Sequence, residues 1–172
     1  MGYTHYLRNA NLLKPEEFDL LCGVAAETVV EWAKRFNGAL ECLDSFEDYD
    51  ASETLIKILE SEMSDKEKAE LLVTLWKDCG QIFVIFRDCE SINVSVEEGD
   101  FQFCKTNYVE PADTLAVAVF WLAHLINDAV KFDSVGYDWE TAEGRAFAER
   151  IWHWSDARRI FEEAKKDGDK EE

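Results

Sequence analysis

The sequence predicts a single α+β domain over residues 1–165, built as an antiparallel sheet with helices packed on it. Apolar residues make up 47% of the 172, which is enough for a buried core in a chain of this length. Some segments carry apolar residues at helical spacing, and others are short runs of β-formers. No linker long enough to divide domains interrupts them, and residues 166–172 are predicted to be a disordered charged tail.

The first element is a predicted strand at residues 2–8, because tyrosine and threonine suit a pleated sheet. Alternation along a strand would place His5 on one face and Tyr6 and Arg8 on the other. We expect this strand to lie beside a later one, residues 101–105, in one sheet.

Three long helices are predicted from the spacing of their apolar residues. Residues 15–36 are predicted to form the first, and Gly38 just after it supplies the left-handed conformation that stops the helix. Residues 111–129 are apolar almost all round and are expected to be the central helix. Residues 139–164 are predicted to form one long amphipathic helix.

Shorter elements lie between the first two long helices. Residues 39–43 are predicted to form a short strand and residues 52–62 a short helix. A further helix over residues 64–79 begins with a capping box, Ser64-x-x-Glu67.

The remaining strands follow from their apolar patterns. Residues 81–87 are a continuous run of β-formers, which predicts an internal strand buried on both faces. Residues 91–96 alternate, and residues 101–105 are predicted to return beside them as a hairpin. Residues 130–134 are expected to add one more strand.

The net charge of −19 bounds the partners of this chain. A surface so negative repels nucleic acid and anionic membranes, and it favours basic partners.

The five cysteines are odd in number, none forms a C-x-x-C pair and no secretory signal precedes them. We therefore expect reduced thiols in a cytoplasmic protein. No apolar run reaches the roughly 20 residues that a membrane span needs.

An acidic stretch over residues 41–65 carries nine acids and one base, Lys57. Its carboxylates could mimic a phosphate backbone and face the arginines of a DNA-binding protein. The alternative is a solvated surface helix and loop.

The common catalytic motifs are absent: the sequence has no phosphate-binding loop, no G-x-G-x-x-G, no H-E-x-x-H and no G-x-S-x-G. No catalytic residue, cofactor or metal ligand is predicted. His124, four residues before Asp128, is interpreted as a buried histidine satisfied by its helix neighbour, and His153 as part of a surface aromatic cluster. Cys104 as a nucleophile would need a lowered pKa and an adjacent base, and the sequence indicates neither.

The first strand is the candidate for recognition of a nucleotide or another planar anion. Its tyrosines, histidine and arginine offer flat rings and hydrogen-bond donors, and Lys105 with Thr106 at another strand end could hold a phosphate. Ordinary β-formers at a sheet edge, with Lys105 paired to a carboxylate, are the alternative. On the first interpretation one pocket collects five side chains, those of Tyr3, His5, Arg8, Lys105 and Thr106, with Tyr3 or Tyr6 stacked on the base.

Three segments carry a family resemblance: residues 2–6, Gly-Tyr-Thr-His-Tyr; residues 103–106, Phe-Cys-Lys-Thr; and Asp133-Ser134, followed by Trp139. The chain resembles an uncharacterised family of small proteins from tailed bacteriophages and prophages. In that family a Ser-Asp-Gly turn stands where this chain has Asp133-Ser134-Val135-Gly136. The resemblance adds Ser134 to the expected ligand-binding residues.

The resemblance implies a phage-encoded counter-defence protein in the host cytoplasm that sequesters a small phosphorylated nucleotide signal. No cofactor is expected, and the net charge of −19 indicates that the protein binds neither nucleic acid directly nor membrane. One alternative is an acidic mimic that inhibits a basic, nucleic-acid-binding host defence protein. A second alternative is a small nucleotide hydrolase acting through His5. The oligomeric state is open, and a homo-oligomer is compatible with each of these functions. The expected ligand-binding residues are Tyr3, His5, Tyr6, Arg8, Lys105, Thr106 and Ser134.

Overall fold

The computed structural model describes residues 4–44, 50–97, 101–106, 109–136 and 138–170. The α+β class is confirmed. Within these ranges the elements, in chain order, are β1 (Thr4–Arg8), α1 (Pro15–Arg35), α2 (Asp50–Glu60), α3 (Asp65–Cys79), β2 (Ile82–Val84), β3 (Ile92–Val94), β4 (Phe101–Lys105), α4 (Glu110–Ile126), β5 (Lys131–Ser134), α5 (Asp138–Trp154) and α6 (Asp156–Lys170). None of these helices is both long enough and apolar enough to cross a bilayer.

The strands form two antiparallel sheets instead of the single sheet predicted. The larger sheet has the order β4-β1-β5, so the predicted adjacency of residues 2–8 and 101–105 is confirmed. The predicted hairpin between residues 91–96 and 101–105 is wrong, because β3 pairs with β2. Ser95 and Gln102 still join the two segments: the Ser95 N–H donates to the Gln102 side-chain oxygen at 3.2 Å, so a side chain takes the place of backbone pairing.

The apolar strand β2 is buried on both faces, as predicted, with its three side chains fully inaccessible to solvent. It is not internal to a large sheet, because it pairs with β3 in a two-stranded sheet. Residues 42–44 bond to the segment just after β2, where the Arg87 N–H donates to the Cys42 carbonyl at 2.8 Å and the Asp44 N–H to the Ile85 carbonyl at 3.0 Å. Residues 39–43 are therefore not a strand: residues 40–42 form a 3₁₀ turn, followed by one bridge at Leu43.

Helix α4 occupies the centre of the core, as its sequence predicted, with ten of its residues buried. It packs between the larger sheet on one side and α1 and α5 on the other. The contact with α5 depends on Gly144, because a Cβ there would lie 2.6 Å from the Val117 side chain. The start of α4 is held by Trp32 of α1, whose indole N–H donates to the Pro111 carbonyl at 2.7 Å.

The single helix predicted at residues 139–164 is two helices, broken at Ser155. The Ser155 hydroxyl oxygen accepts the Arg158 N–H at 3.0 Å and so caps α6. Glu27 of α1 accepts the Ser155 hydroxyl at 3.0 Å and the Ala157 N–H at 2.9 Å. The hydrogen bonds to this carboxylate turn the chain and fix the start of α6 against α1, where Gly23 leaves room for Ala157.

The predicted disorder of the tail is also corrected, because α6 continues through Lys170 and includes residues 166–170. Two charge pairs at helical spacing support its exposed face: Arg158 with Glu162 at 3.1 Å and Arg159 with Glu163 at 3.4 Å. Such pairs each add a few tenths of a kcal/mol, about 0.2–0.5, to helix stability. Residues 171–172 lie outside the described ranges.

Candidate functional site

The predicted site residues that the structure describes lie on the two opposite faces of the larger sheet. His5 points into the core and is fully buried, whereas Tyr6 is half-buried and Arg8 is exposed on the other face. They do not converge on one pocket, because side chains three positions apart on a strand point in opposite directions. His5, Thr106 and Ser134 meet on the inner side, and Tyr6, Arg8 and Lys105 lie on the outer side. Tyr3 lies outside the described residues.

The inner group is a chain of hydrogen bonds, here called the polar network, that comprises His5, Thr106, Asp113 and Ser134. His5 Nε2 lies 2.6 Å from Asp113 Oδ1, and the Thr106 hydroxyl donates to the same oxygen at 2.6 Å. On the other side of the ring, His5 Nδ1 lies 3.0 Å from Ser134 Oγ. The Gly136 N–H donates to that Oγ at 3.1 Å. The polar network therefore ties the middle strand of the sheet to α4 and to the end of β5.

The carboxylate fixes the hydrogen-bonding roles of the His5 ring. Asp113 Oδ1 accepts from Nε2, so Nε2 carries a proton. In the neutral ring Nδ1 then accepts from the Ser134 hydroxyl, and in the charged ring it donates to Ser134 Oγ. Both nitrogen atoms of this fully buried side chain have a partner, which removes most of the cost of burying them.

The position of Asp113 explains why the network forms at this end of the sheet. Asp113 lies in the first turn of α4, where the helix dipole favours a negative charge. The Thr106 carbonyl accepts the Val109 N–H at 3.0 Å, which brings the chain from β4 directly into that turn. The register then places His5 opposite both Cys104 of β4 and Ser134 of β5.

Sequence reasoning did not identify Asp113, Phe103 or Lys131 as site residues. An acid in the first turn of a helix is common, so Asp113 gave no signal beyond helix initiation. Alternation along the strands would have identified Phe103 and Lys131 only if the strands that pair with β1 had been known. Tyr6 lies opposite Phe103 on one side and opposite Asp133 on the other.

The outer sheet face is the solvent-facing side of β4, β1 and β5. Its described side chains are Thr4, Tyr6, Arg8, Phe103, Lys105, Lys131 and Asp133. Phe103 is 52% exposed, so part of its ring faces solvent. The Arg8 guanidinium lies 5.6 Å from the centre of the Tyr6 ring and 4.0 Å from the Asp133 carboxylate. Aromatic rings and cations thus share one open surface.

The charge of this face is opposite to that of the whole protein. Three cations and one carboxylate lie on it, whereas the chain as a whole carries −19. Glu90 adds a carboxylate at the β4 edge, where its Oε2 accepts the Lys105 backbone N–H at 3.0 Å. A local excess of cations on an acidic protein concentrates anionic ligands at that place.

The other candidates from the sequence have structural explanations. His124 donates from Nδ1 to the Val130 carbonyl at 2.7 Å; α4 ends before Asp128, so the expected helical pair does not form. His153 packs edge-on to Trp154 on the surface, as expected for an aromatic cluster. The Cys104 thiol is buried and donates to the Glu90 carbonyl, and burial raises its pKa well above the ordinary value, which opposes a nucleophilic role.

The acidic stretch at 41–65 is only partly described, since residues 45–49 lie outside the described ranges. Two of its carboxylates form ion pairs: Glu53 with Lys57 at 3.1 Å and Asp65 with Lys34 at 2.6 Å. The described part of the chain contains no cluster of three His, Cys, Asp or Glu side chains that could hold a metal ion.

Comparison with protein families, with curated proteins and with solved structures gives no match. Fold and site together define an α+β protein with an aromatic and cationic sheet face above a buried polar network. Residues 4–6, 103–106 and 133–134 lie on adjacent strands or directly after them, since Thr4 pairs with Lys105 and His5 pairs with Ser134.

Proposed function

We propose that the protein is a binding protein that captures a small phosphorylated ligand with a planar ring, such as a nucleotide, on the outer sheet face. The observation that carries this proposal is the cross-strand pair of Tyr6 and Phe103 with Arg8 and Lys105 beside it. Rings and cations on adjacent strands offer a base and a phosphate separate partners on one surface.

The two rings supply the contact with the base. Tyr6 and Phe103 are directly opposite each other, so their side chains stand a few ångströms apart on the same face. Stacking of a base on an exposed aromatic side chain contributes about 1–3 kcal/mol to binding and tolerates different bases. The polar network supports this arrangement from below, because it fixes β1 between its two neighbours.

The cations supply the contact with the phosphate. Arg8 and Lys131 lie opposite each other at one end of the face, and Lys105, which pairs with Thr4, lies at the other end beyond the Tyr6–Phe103 pair. Charge-assisted hydrogen bonds from such side chains to phosphate oxygens are short and about twice as strong as neutral ones. An anion that approaches a protein of net charge −19 needs this local compensation.

In the setting that the family motifs imply, such a protein is a phage counter-defence factor that sequesters a nucleotide signal of bacterial immunity. Sequestration requires binding without turnover. The ligand is therefore expected to be recovered intact.

A nucleotide hydrolase is the second candidate, and the polar network favours it. His5 lies between a carboxylate and the hydroxyl of Ser134, an order of groups that allows the imidazole to take a hydroxyl proton. Against it stands the full burial of His5, which suits a structural role.

Mass spectrometry of the bound material separates these functions. The purified protein is mixed with a panel of mono-, di- and cyclic nucleotides, washed and denatured, and the released small molecules are identified by their mass. An intact nucleotide supports capture, and a converted one supports hydrolysis. Retention of none of them contradicts both.

A further inference from the structure

An open groove, here called the acidic groove, lies on the helical part of the molecule. Its volume is about 790 Å³. It is lined by α1 between Gly23 and Glu31, by α3 between Asp65 and Thr74, and by the α5–α6 junction between Ile151 and Ile160. It shares no residue with the outer sheet face or the polar network, so its role is independent of nucleotide capture.

The floor of the acidic groove is apolar. Val73 of α3 and Ala157 of α6 are half-buried there, above the fully packed core. Two large apolar side chains stand at its side, Trp154 at 76% exposure and Ile160 at 58%. Exposed apolar groups of this size beside a concave surface are typical of interaction sites.

The border of the acidic groove is negatively charged. The lining includes five carboxylates and one lysine among its described residues: Glu27, Glu31, Asp65, Glu70 and Asp156, with Lys66. Four of these carboxylates already have partners inside the protein: Glu27 caps α6, Asp65 lies 2.6 Å from Lys34, Glu31 lies 3.6 Å from Arg35, and Asp156 lies 3.3 Å from Arg159. The three ion pairs are solvent-exposed and therefore weak, and the lining stays net negative, which favours a cationic occupant over an anionic one.

The groove is also elongated along its walls. The lining residues of α3 extend from Asp65 to Thr74, which is roughly 14 Å at 1.5 Å per residue. Those of α1 extend from Gly23 to Glu31, or roughly 12 Å on the same basis. This length matches two turns of a helix laid along the groove.

We propose that the acidic groove binds a basic amphipathic helical segment of a partner protein. Apolar side chains at helical spacing contact the floor and pack beside Trp154 and Ile160. Lysine or arginine side chains at the edges of that helix meet carboxylates of the border, Glu70 of α3 among them. This is the helix-in-groove mode of recognition, with charge complementarity setting the class of partner.

The probe is a synthetic peptide of about 14 residues, or roughly 21 Å as a helix, which covers the groove and leaves less than one turn beyond each end. It carries leucine at helical spacing and lysine elsewhere, and it is compared with its leucine–glutamate counterpart. Binding is measured by calorimetry at two salt concentrations. The lysine peptide is expected to bind in a salt-sensitive way and the glutamate peptide not to bind. Binding of neither peptide, or equal binding of both, would overturn the proposal.

Matched variants locate the binding. Glu70→Lys is expected to weaken binding of the lysine peptide about tenfold, because it places in the groove a charge of the same sign as the peptide. Glu97→Lys makes the same change of charge on the loop after β3, outside the groove, and is expected to leave the affinity near that of the wild type. Ile160→Ser tests the apolar contribution, with folding checked by circular dichroism. Equal loss in Glu70→Lys and Glu97→Lys would show attraction to the overall charge, and the proposal would be wrong.

Discussion

His5 Nε2 lies 2.6 Å from Asp113 Oδ1, so the middle strand of the larger sheet is bonded to the first turn of the central helix. The same oxygen accepts the Thr106 hydroxyl. One carboxylate therefore serves two fully buried side chains from separate parts of the chain. The loss of this single acceptor is expected to affect the whole sheet.

Replacement of Asp113 by alanine is expected to destabilise the protein by about 1–3 kcal/mol, because two buried groups lose their shared acceptor. Asp113→Asn keeps a side-chain oxygen at the same place and should lose less. Urea denaturation measures both values. Glu143→Ala, at an exposed position of α5, is the control and should stay within about 0.5 kcal/mol of the wild type. Equal stability of Asp113→Ala and the control would mean that the network contributes nothing to the fold.

Glu27 is expected to make stability depend on pH. Burial raises its pKa above the ordinary 4.5, although the hydrogen bonds from Ala157 and Ser155 oppose that shift. Below about pH 4.5 the carboxyl is protonated in both the folded and the unfolded chain. As the pH rises through that value the unfolded chain loses its proton first, so the folded state loses stability until the raised pKa has been passed.

The variant Glu27→Gln isolates this effect, since its amide oxygen can still accept from Ser155 and Ala157. Its stability relative to the wild type should increase from pH 4.5 to pH 7. Glu27→Ala removes the acceptor at the start of α6 and should cost about 1 kcal/mol, as for the loss of a helix cap. Thermal denaturation of the three proteins across this pH range gives the comparison. A constant difference between Glu27→Gln and the wild type would contradict the raised pKa.

The cations of the outer sheet face are expected to determine phosphate affinity. Arg8→Ala and Lys105→Ala should each lose about 1.5–3 kcal/mol of binding, or roughly ten- to a hundredfold in affinity. Calorimetric titration with the nucleotide retained in the mass-spectrometry panel measures the loss. Lys57→Ala, an exposed lysine on α2, is the matched control. Unchanged affinity in both site variants, with folding confirmed, would place the site elsewhere.

Charge reversal of Glu47, Asp48 and Asp50 tests whether the protein acts by capturing a nucleotide or by mimicking nucleic acid. Asp50 lies in α2, and Glu47 and Asp48 lie outside the described residues. If the protein acts by nucleotide capture on the outer sheet face, nucleotide binding should be retained in the triple variant. If the acidic stretch imitates phosphates, the variant instead loses salt-sensitive binding to a basic host protein and with it the biological activity. Full biological activity of the variant would remove the mimic hypothesis.

The helices could largely be predicted from the sequence because their signals are local. Gly80 ends α3 in the left-handed conformation, and the Ser64 side chain accepts the Glu67 N–H at its start. The break at Ser155 was missed because the apolar spacing continues across it. What breaks the helix is Glu27, more than a hundred residues earlier, and no local pattern contains that contact.

The site was harder to predict because it depends on pairing between distant strands. Sequence reasoning identified His5 and Thr106, and the family resemblance added Ser134; these three meet in the polar network. It also joined His5 and Thr106 to Arg8 and Lys105 in one pocket, although a strand sends such side chains to opposite faces. Asp113 could not be identified from the sequence, because its contact with His5 depends on how α4 packs against β1.

The central claim is that the outer sheet face stacks a planar ring, and Phe103 tests it most directly. Calorimetric titration compares the wild type with Phe103→Ala and Phe103→Trp, using the same retained nucleotide. Because Phe103 is 52% exposed, both variants should fold normally. The account predicts that alanine weakens binding about tenfold or more while tryptophan preserves it, as expected for base–aromatic stacking. Equal affinity of the three proteins would contradict it.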